Sequence, residues 1–107
     1  MNKQDTINSL SKEELIKLIE IYSKNWLAMD GVWFQSVEKK YGMDEAIFHD
    51  EKAWGKFTVI EAKRIKEFLK LDEQAGLEGL AKALSLRFYA NINADEITIL
   101  GNTLTYR

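Results

Sequence analysis

Residues 11–42, SKEELIKLIEIYSKNWLAMDGVWFQSVEKKYG, decide the fold. The opening Ser11-Lys12-Glu13-Glu14 has the form of a capping box: the Ser11 hydroxyl can accept from the Glu14 backbone N–H while the Glu14 side chain reaches back. Behind it Leu15, Ile19, Tyr22, Trp26, Met29, Trp33, Val37 and Tyr41 recur in steps of three and four, the spacing of one helix face. Gly42 stands where a helix-ending glycine belongs. A helix of this span is about 45 Å long at ~1.5 Å per residue. That length leads us to expect a bend near Asp30-Gly31, where a glycine costs about 1 kcal/mol.

Working outward, Asp44 is the next N-cap candidate, with Glu45 in its first turn. Ala46, Ile47 and Phe48 suit a short helical start, and a longer helix runs on from about residue 50 to 71 on the stripe Trp54, Phe57, Ile60, Ile65, Phe68. Asp72-Glu73-Gln74-Ala75-Gly76 reads as a linker. Leu77, Leu80, Ala81, Leu84 and Phe88 form a third amphipathic stripe. After Ala90 the period changes to two: Glu96-Ile97-Thr98-Ile99-Leu100, a Gly101-Asn102 turn, then Thr103-Leu104-Thr105-Tyr106, a hairpin pattern. The expected fold is mainly α, an antiparallel bundle of three to four helices with a C-terminal β-hairpin (α+β). It is expected as a single domain over 1–107, with helices near 11–41, 44–71 and 77–90 and the hairpin near 95–106. A lone hairpin is marginal in water, so it must pack on the helices, pair with another chain or belong to a larger sheet.

Composition narrows the function. The 107 residues carry 15 Lys+Arg against 17 Asp+Glu, a net charge of −2, with 46% hydrophobic and 30% charged residues. These values exclude a disordered tail, a collagen-like repeat and a disulfide scaffold. There is no cysteine and one histidine, so thiol chemistry and multi-histidine metal sites are excluded within these residues, and we expect neither metal nor cofactor. Asp30, Glu38 and Glu61 on two helices are reminiscent of bundle carboxylate–metal sites, but the Glu-x-x-His pairs of such sites are missing. The acidic balance, a pI near 5.4, argues against nucleic acid. No long apolar run suggests a membrane span, and the polar start Met1-Asn2-Lys3-Gln4-Asp5 lacks the core of a signal peptide, so the expected location is cytoplasmic. No phosphate-binding glycine loop is present.

Residues that break the apolar pattern are the candidate site. With Trp26 at the centre of the first stripe, Trp33 lies about 20° to one side, Asp30 about 40° to the other, and Glu38 about 120° round. With Phe57 at the centre of the later stripe, Phe68 and Arg64 lie about 20° to either side and Glu61 about 40° away. Charge in an apolar seam is costly unless paired. We therefore expect Asp30, Glu61 and Arg64 to satisfy one another between the helices. Such a cluster could be a structural clasp. It could also be the polar spot of a pocket walled by Trp33 and Trp54, with Glu38 at its border, in which Arg64 binds an acidic ligand. The aromatic residues at helical spacing are equally read as core.

The run Asn25-Trp26-Leu27-Ala28-Met29-Asp30-Gly31-Val32-Trp33-Phe34, continued by Val37-Glu38-Lys39-Lys40-Tyr41-Gly42, resembles an uncharacterised family of bacterial and archaeal cytosolic proteins with a W-L-x-x-D-G-x-W-F motif. Trp54-Gly55-Lys56-Phe57-Thr58-Val59-Ile60-Glu61-Ala62-Lys63-Arg64-Ile65 resembles its second block. That group is distantly similar to L-2-amino-thiazoline-4-carboxylic acid hydrolase-like proteins and to hydrocarbon-binding sensor domains. The resemblance implies a longer chain with a cysteine-containing second half, so this sequence matches the N-terminal half and is either a fragment or a short relative. It also places Asp30, Trp33, Glu38, Glu61 and Arg64 within the family's motifs.

Three functions stand as expectations. One is a ligand-binding module for a small organic acid or apolar ligand. The second is a protein-interaction module, a homo-oligomer formed through its helices or through the hairpin edge. The third is a hydrolase-like enzyme with Glu61 or Asp30 as general base. Binding or interaction ranks ahead of catalysis, because no nucleophile–base pair is visible.

Overall fold

A computed structural model describes residues 2–93 and 95–107; Met1 and Ala94 lie outside the described residues. The Ser11 capping box forms as the sequence dictates. The Ser11 Oγ accepts from the Glu14 N–H at 3.1 Å and the Ser11 N–H donates to the Glu14 carboxylate at 2.9 Å. It starts a 30-residue helix, Lys12–Tyr41, preceded by a short helix, Lys3–Asn8, that the sequence reading did not anticipate. We call these α2 and α1. The signal for α1 is Asn2, whose side chain accepts from the Asp5 N–H at 2.9 Å. α2 runs through Asp30-Gly31 as one continuous helix. It closes at Gly42, whose N–H donates to the Glu38 carbonyl at 2.8 Å.

One residue separates α2 from α3, Met43–Leu69 (27 residues). Gly42 has φ +95° and ψ 171°, a region essentially closed to residues with a Cβ. That conformation folds α3 back along α2. Trp33 meets His49, Asp30 meets Trp54 and Trp26 meets Phe57, one number falling as the other rises, so the pair is antiparallel. α3 begins at Met43 and is a single helix through the expected short start. It ends on Lys70, which takes the left-handed conformation (φ 56°, ψ 41°).

α4, Gly76–Ser85, packs on α3, and the helix expected over 77–90 stops at Ser85. The chain then makes a separate 3-10 turn, Phe88–Asn91, that lies against α2. The hairpin is formed by β1, Ile97–Leu100, and β2, Thr103–Tyr106, paired antiparallel with Ile97 opposite Tyr106 and Leu100 opposite Thr103. Gly101 has φ +59°, as a two-residue type II′ hairpin needs at its first central position. Both strands pack on α4, which supplies the support a lone hairpin lacks. The architecture is mainly α with a C-terminal β-hairpin, as expected.

The interior is thin. Among the described residues only Ser23, Ala46 and Gly79 are buried. The radius of gyration is 17.3 Å, where about 13 Å is usual for this length. The chain exposes 8888 Å², where a closed protein of this mass exposes about 6,100 Å².

Candidate functional site

The aromatic side chains of α2, α3 and the 3-10 turn meet in one cluster. Trp54 on α3 is its hub: its ring lies 5.4 Å from Phe57, 5.7 Å from Phe88 and 5.6 Å from Tyr89. Trp26 on α2 stacks on Phe57 at 5.6 Å, and Phe57 meets Phe88 edge-on at 5.5 Å. Such pairs contribute about 0.5–1.5 kcal/mol each beyond the area they bury. The helical spacing of Trp54 and Phe57 brings both to the seam. Phe88 and Tyr89 arrive there because the chain leaves the α4 helix and turns back.

The polar residues sort differently from expectation. Asp30, half-buried, accepts from the Trp54 indole N–H at 3.2 Å, and Asp50 one turn earlier on α3 shares the same donor at 3.1 Å. Burial holds the Asp30 carboxyl above the ordinary aspartate range; the nearby Asp50 charge adds to this and the Trp54 N–H opposes it. Glu61 accepts from the Phe88 backbone N–H at 3.0 Å and pairs with the Arg87 Nε at 3.5 Å. Among the described residues no hydrogen bond or ion pair joins any two of Asp30, Glu61 and Arg64. The expected three-way cluster is therefore corrected to two separate ones. Arg87 occupies the place assigned to Arg64, because it is carried in by the turn beyond α4.

Arg64 instead lies exposed along an open cleft of about 430 Å³. Ile19, Tyr22 and Trp26 form one wall, Phe57 and Ile65 the other, with Leu86 and Phe88 across the end. Ser23 and Asn91 add polar groups to it, and the Asn91 amide donates to the Ser23 Oγ at 3.3 Å. The buried Ser23 hydroxyl in turn donates to the Ile19 carbonyl at 3.0 Å. A second cleft of about 260 Å³ continues past the Trp26–Phe57 pair to Ala53 and Ile60, with Asp30 and Trp54 in its wall. Of the remaining candidates, Trp33 is half exposed and touches His49 edge-on at 6.2 Å, and Glu38 is half-buried near the α2–α3 apex. His49 itself pairs with Glu45 at 3.3 Å. No three His, Cys, Asp or Glu side chains gather as a metal set among the described residues.

The sequence reading missed Asp50, Arg87, Tyr89 and Asn91. Asp50 carried a signal: it is four residues before Trp54, so a helix puts its carboxylate beside the indole. The other three sit where the helical pattern fails, and no periodic argument reaches them.

Fold and site together define a small helical-hairpin domain, open along one side, with an aromatic seam and two separate carboxylate clusters. The chain belongs to a family of unknown function, DUF6125, whose model matches residues 8–107. No curated protein and no solved structure matches it. No described helix is long and apolar enough to cross a membrane.

Proposed function

We propose that this chain is a protein-interaction module whose working surface is the open face of the α2–α3 hairpin. One observation carries the reading: the apolar stripe of α2 is largely uncovered. Tyr22 is 61% exposed, Met29 63%, Ile19 and Trp33 50% each and Trp26 47%. These are consecutive positions of one helix face rather than scattered surface residues, and contiguous apolar surface of this kind marks an association site. The chain as a whole exposes about 2,800 Å² more than a closed protein of equal mass, in keeping with an uncovered face. Acrylamide quenching of tryptophan fluorescence tests the reading, with binding of the dye ANS read alongside. The expected result is strong dye binding by the monomeric chain, with Trp26 and Trp33 accessible, and loss of both on association. A monomeric chain that unfolds cooperatively and binds no dye refutes it.

A second reading is favoured by Arg64. Arg64 lines the larger cleft and makes no ion pair among the described residues; the rest of the lining is chiefly apolar, and its one carboxylate, Glu61, is engaged by Arg87 and the Phe88 N–H. That combination suits an organic acid with an apolar tail, in a volume within the ~300–1,000 Å³ of small-molecule sites. Titration with straight-chain fatty acids of increasing length, monitored by tryptophan emission, tests it; binding should weaken at least about tenfold in Arg64→Gln, and silence across the series removes it. The hydrolase reading gains no support from the geometry, because Glu61 and Asp30 are each engaged by structural donors.

A further inference from the structure

We infer that the partner of the α2 stripe is a second copy of this chain, docked antiparallel so that two α2–α3 hairpins close into a four-helix bundle. This rests on the interaction reading above and names its partner. The stripe is self-complementary. Counted from Trp26, Ile19 and Trp33 each lie seven residues away, Leu15 and Val37 each eleven, and Tyr22 and Met29 four and three. A two-fold axis at Trp26 therefore sets Ile19 against Trp33 of the second copy, and Tyr22 against Met29 of the second copy. Spacing in threes and fours has this symmetry about any of its members, so the α2 face can dock on a copy of itself in an isologous contact.

Charge favours the same arrangement. α2 carries Glu13 and Glu14 in its first turn and Lys39 and Lys40 in its last. Antiparallel docking about Trp26 sets Glu13 opposite Lys39, lays an end of net charge −1 (Lys12, Glu13, Glu14) against one of net charge +1 (Glu38, Lys39, Lys40) and opposes the two helix dipoles, whereas parallel docking sets like against like. The area agrees as well. Two copies have a surplus of about 5,600 Å² together, at the upper end of the roughly 2,000–5,000 Å² or more that permanent homodimers bury in total. An antiparallel pair of long helices covers only one seam, and pairing two such hairpins supplies the enclosed interior that a four-helix bundle has.

The test is the mass of the 107-residue chain in solution, by sedimentation at micromolar concentration, joined to cysteine cross-linking. The expected mass is twice 12.4 kDa. Met29→Glu, on a strongly exposed side chain, should raise the dimer dissociation constant at least about tenfold with helical content unchanged. The native sequence has no cysteine, so single thiols report directly. Ile19→Cys mixed with Trp33→Cys should give a disulfide between the two variants, and neither should cross-link alone. If either fails to fold, Tyr22→Cys with Met29→Cys reads the same contact. Cross-linking of Ile19→Cys to itself would show parallel docking and overturn the inference. A monomer that binds ANS would overturn the second copy as partner and leave the interaction reading standing. A monomer that unfolds cooperatively and binds no ANS would overturn both.

Discussion

Glu61 holds the 3-10 turn to α3, and removing it should loosen that turn in a graded way. Its side chain is 12% exposed and that of its partner Arg87 30%, so solvent screens the pair only partly. The hydrogen bond from the Phe88 N–H to the carboxylate is charge-assisted and contributes about 1.5–3 kcal/mol. The Arg87 contact, at 3.5 Å and partly exposed, adds about 0.5–1 kcal/mol. Glu61→Ala should therefore cost about 2–4 kcal/mol, since it also leaves the Phe88 N–H without an acceptor. Glu61→Gln keeps an acceptor and gives up only the charge, for about 1 kcal/mol. In urea, at one protein concentration throughout, the alanine variant's midpoint should fall by about 1–2 M and the glutamine variant's by roughly a third of that. Because Phe88 and Tyr89 stack on Trp54, the near-ultraviolet dichroism of the tryptophan should weaken in the alanine variant alone. Adding Arg87→Ala to Glu61→Gln should then cost only the contact of Arg87 with the Tyr89 ring, about 0.5–1 kcal/mol, as little charge coupling to residue 61 remains to lose. Equal damage from the two Glu61 variants, or an alanine cost under about 0.5 kcal/mol, would refute the assignment of the turn's anchor to this carboxylate.

The geometry sets three more outcomes. Asp30 titrates above the ordinary aspartate range, so the folded chain holds its proton more tightly than the unfolded chain. Its stabilising effect is full below the ordinary aspartate pKa and is lost as pH rises through the raised one; Asp30→Asn should flatten that fall in denaturation curves, and Trp54→Phe, which removes the opposing N–H, should move the Asp30 carboxyl resonance to titrate higher still. Gly42→Ala should cost about 1–3 kcal/mol in thermal melts, because φ +95° with ψ 171° strains any residue with a Cβ. Gly79→Ala should also destabilise, by about 1–3 kcal/mol against a helix-propensity gain of about 0.5–1, since the new methyl falls on the Ala75 Cβ with Leu71 behind it.

Local signals in the sequence were strong where one residue type fixes one conformation. The Ser11 capping box, the Gly42 stop and the Gly101-Asn102 turn all form, and the change of period after Ala90 marks the hairpin. The stripes were legible as apolar faces. What periodicity leaves open is which part of a wide face its own chain covers. Trp26 and Phe57 sit at the centres of their wheels and do meet. Yet Tyr22, Met29 and Trp33, on the same stripe, remain in solvent, because α3 covers only one flank of α2. Arg64 illustrates the same limit: the wheel puts it about 20° from Phe57, yet it stays exposed along the open cleft. Arg87 reaches Glu61 from 26 residues further along the chain, a distance at which helical spacing carries no information.

The one-residue apex at Gly42 also governs where this architecture can change length. Each residue added to a helix rotates the rest of the chain by about 100° and advances it by about 1.5 Å. With no slack between Tyr41 and Met43, an insertion there would swing the whole of α3 and part Asp30 from Trp54 and Trp26 from Phe57 at once. Residues 70–75, by contrast, form a six-residue connection between α3 and α4. Natural or engineered additions to this scaffold, such as tags, labels or longer loops, belong at that end of the hairpin and not at its tip.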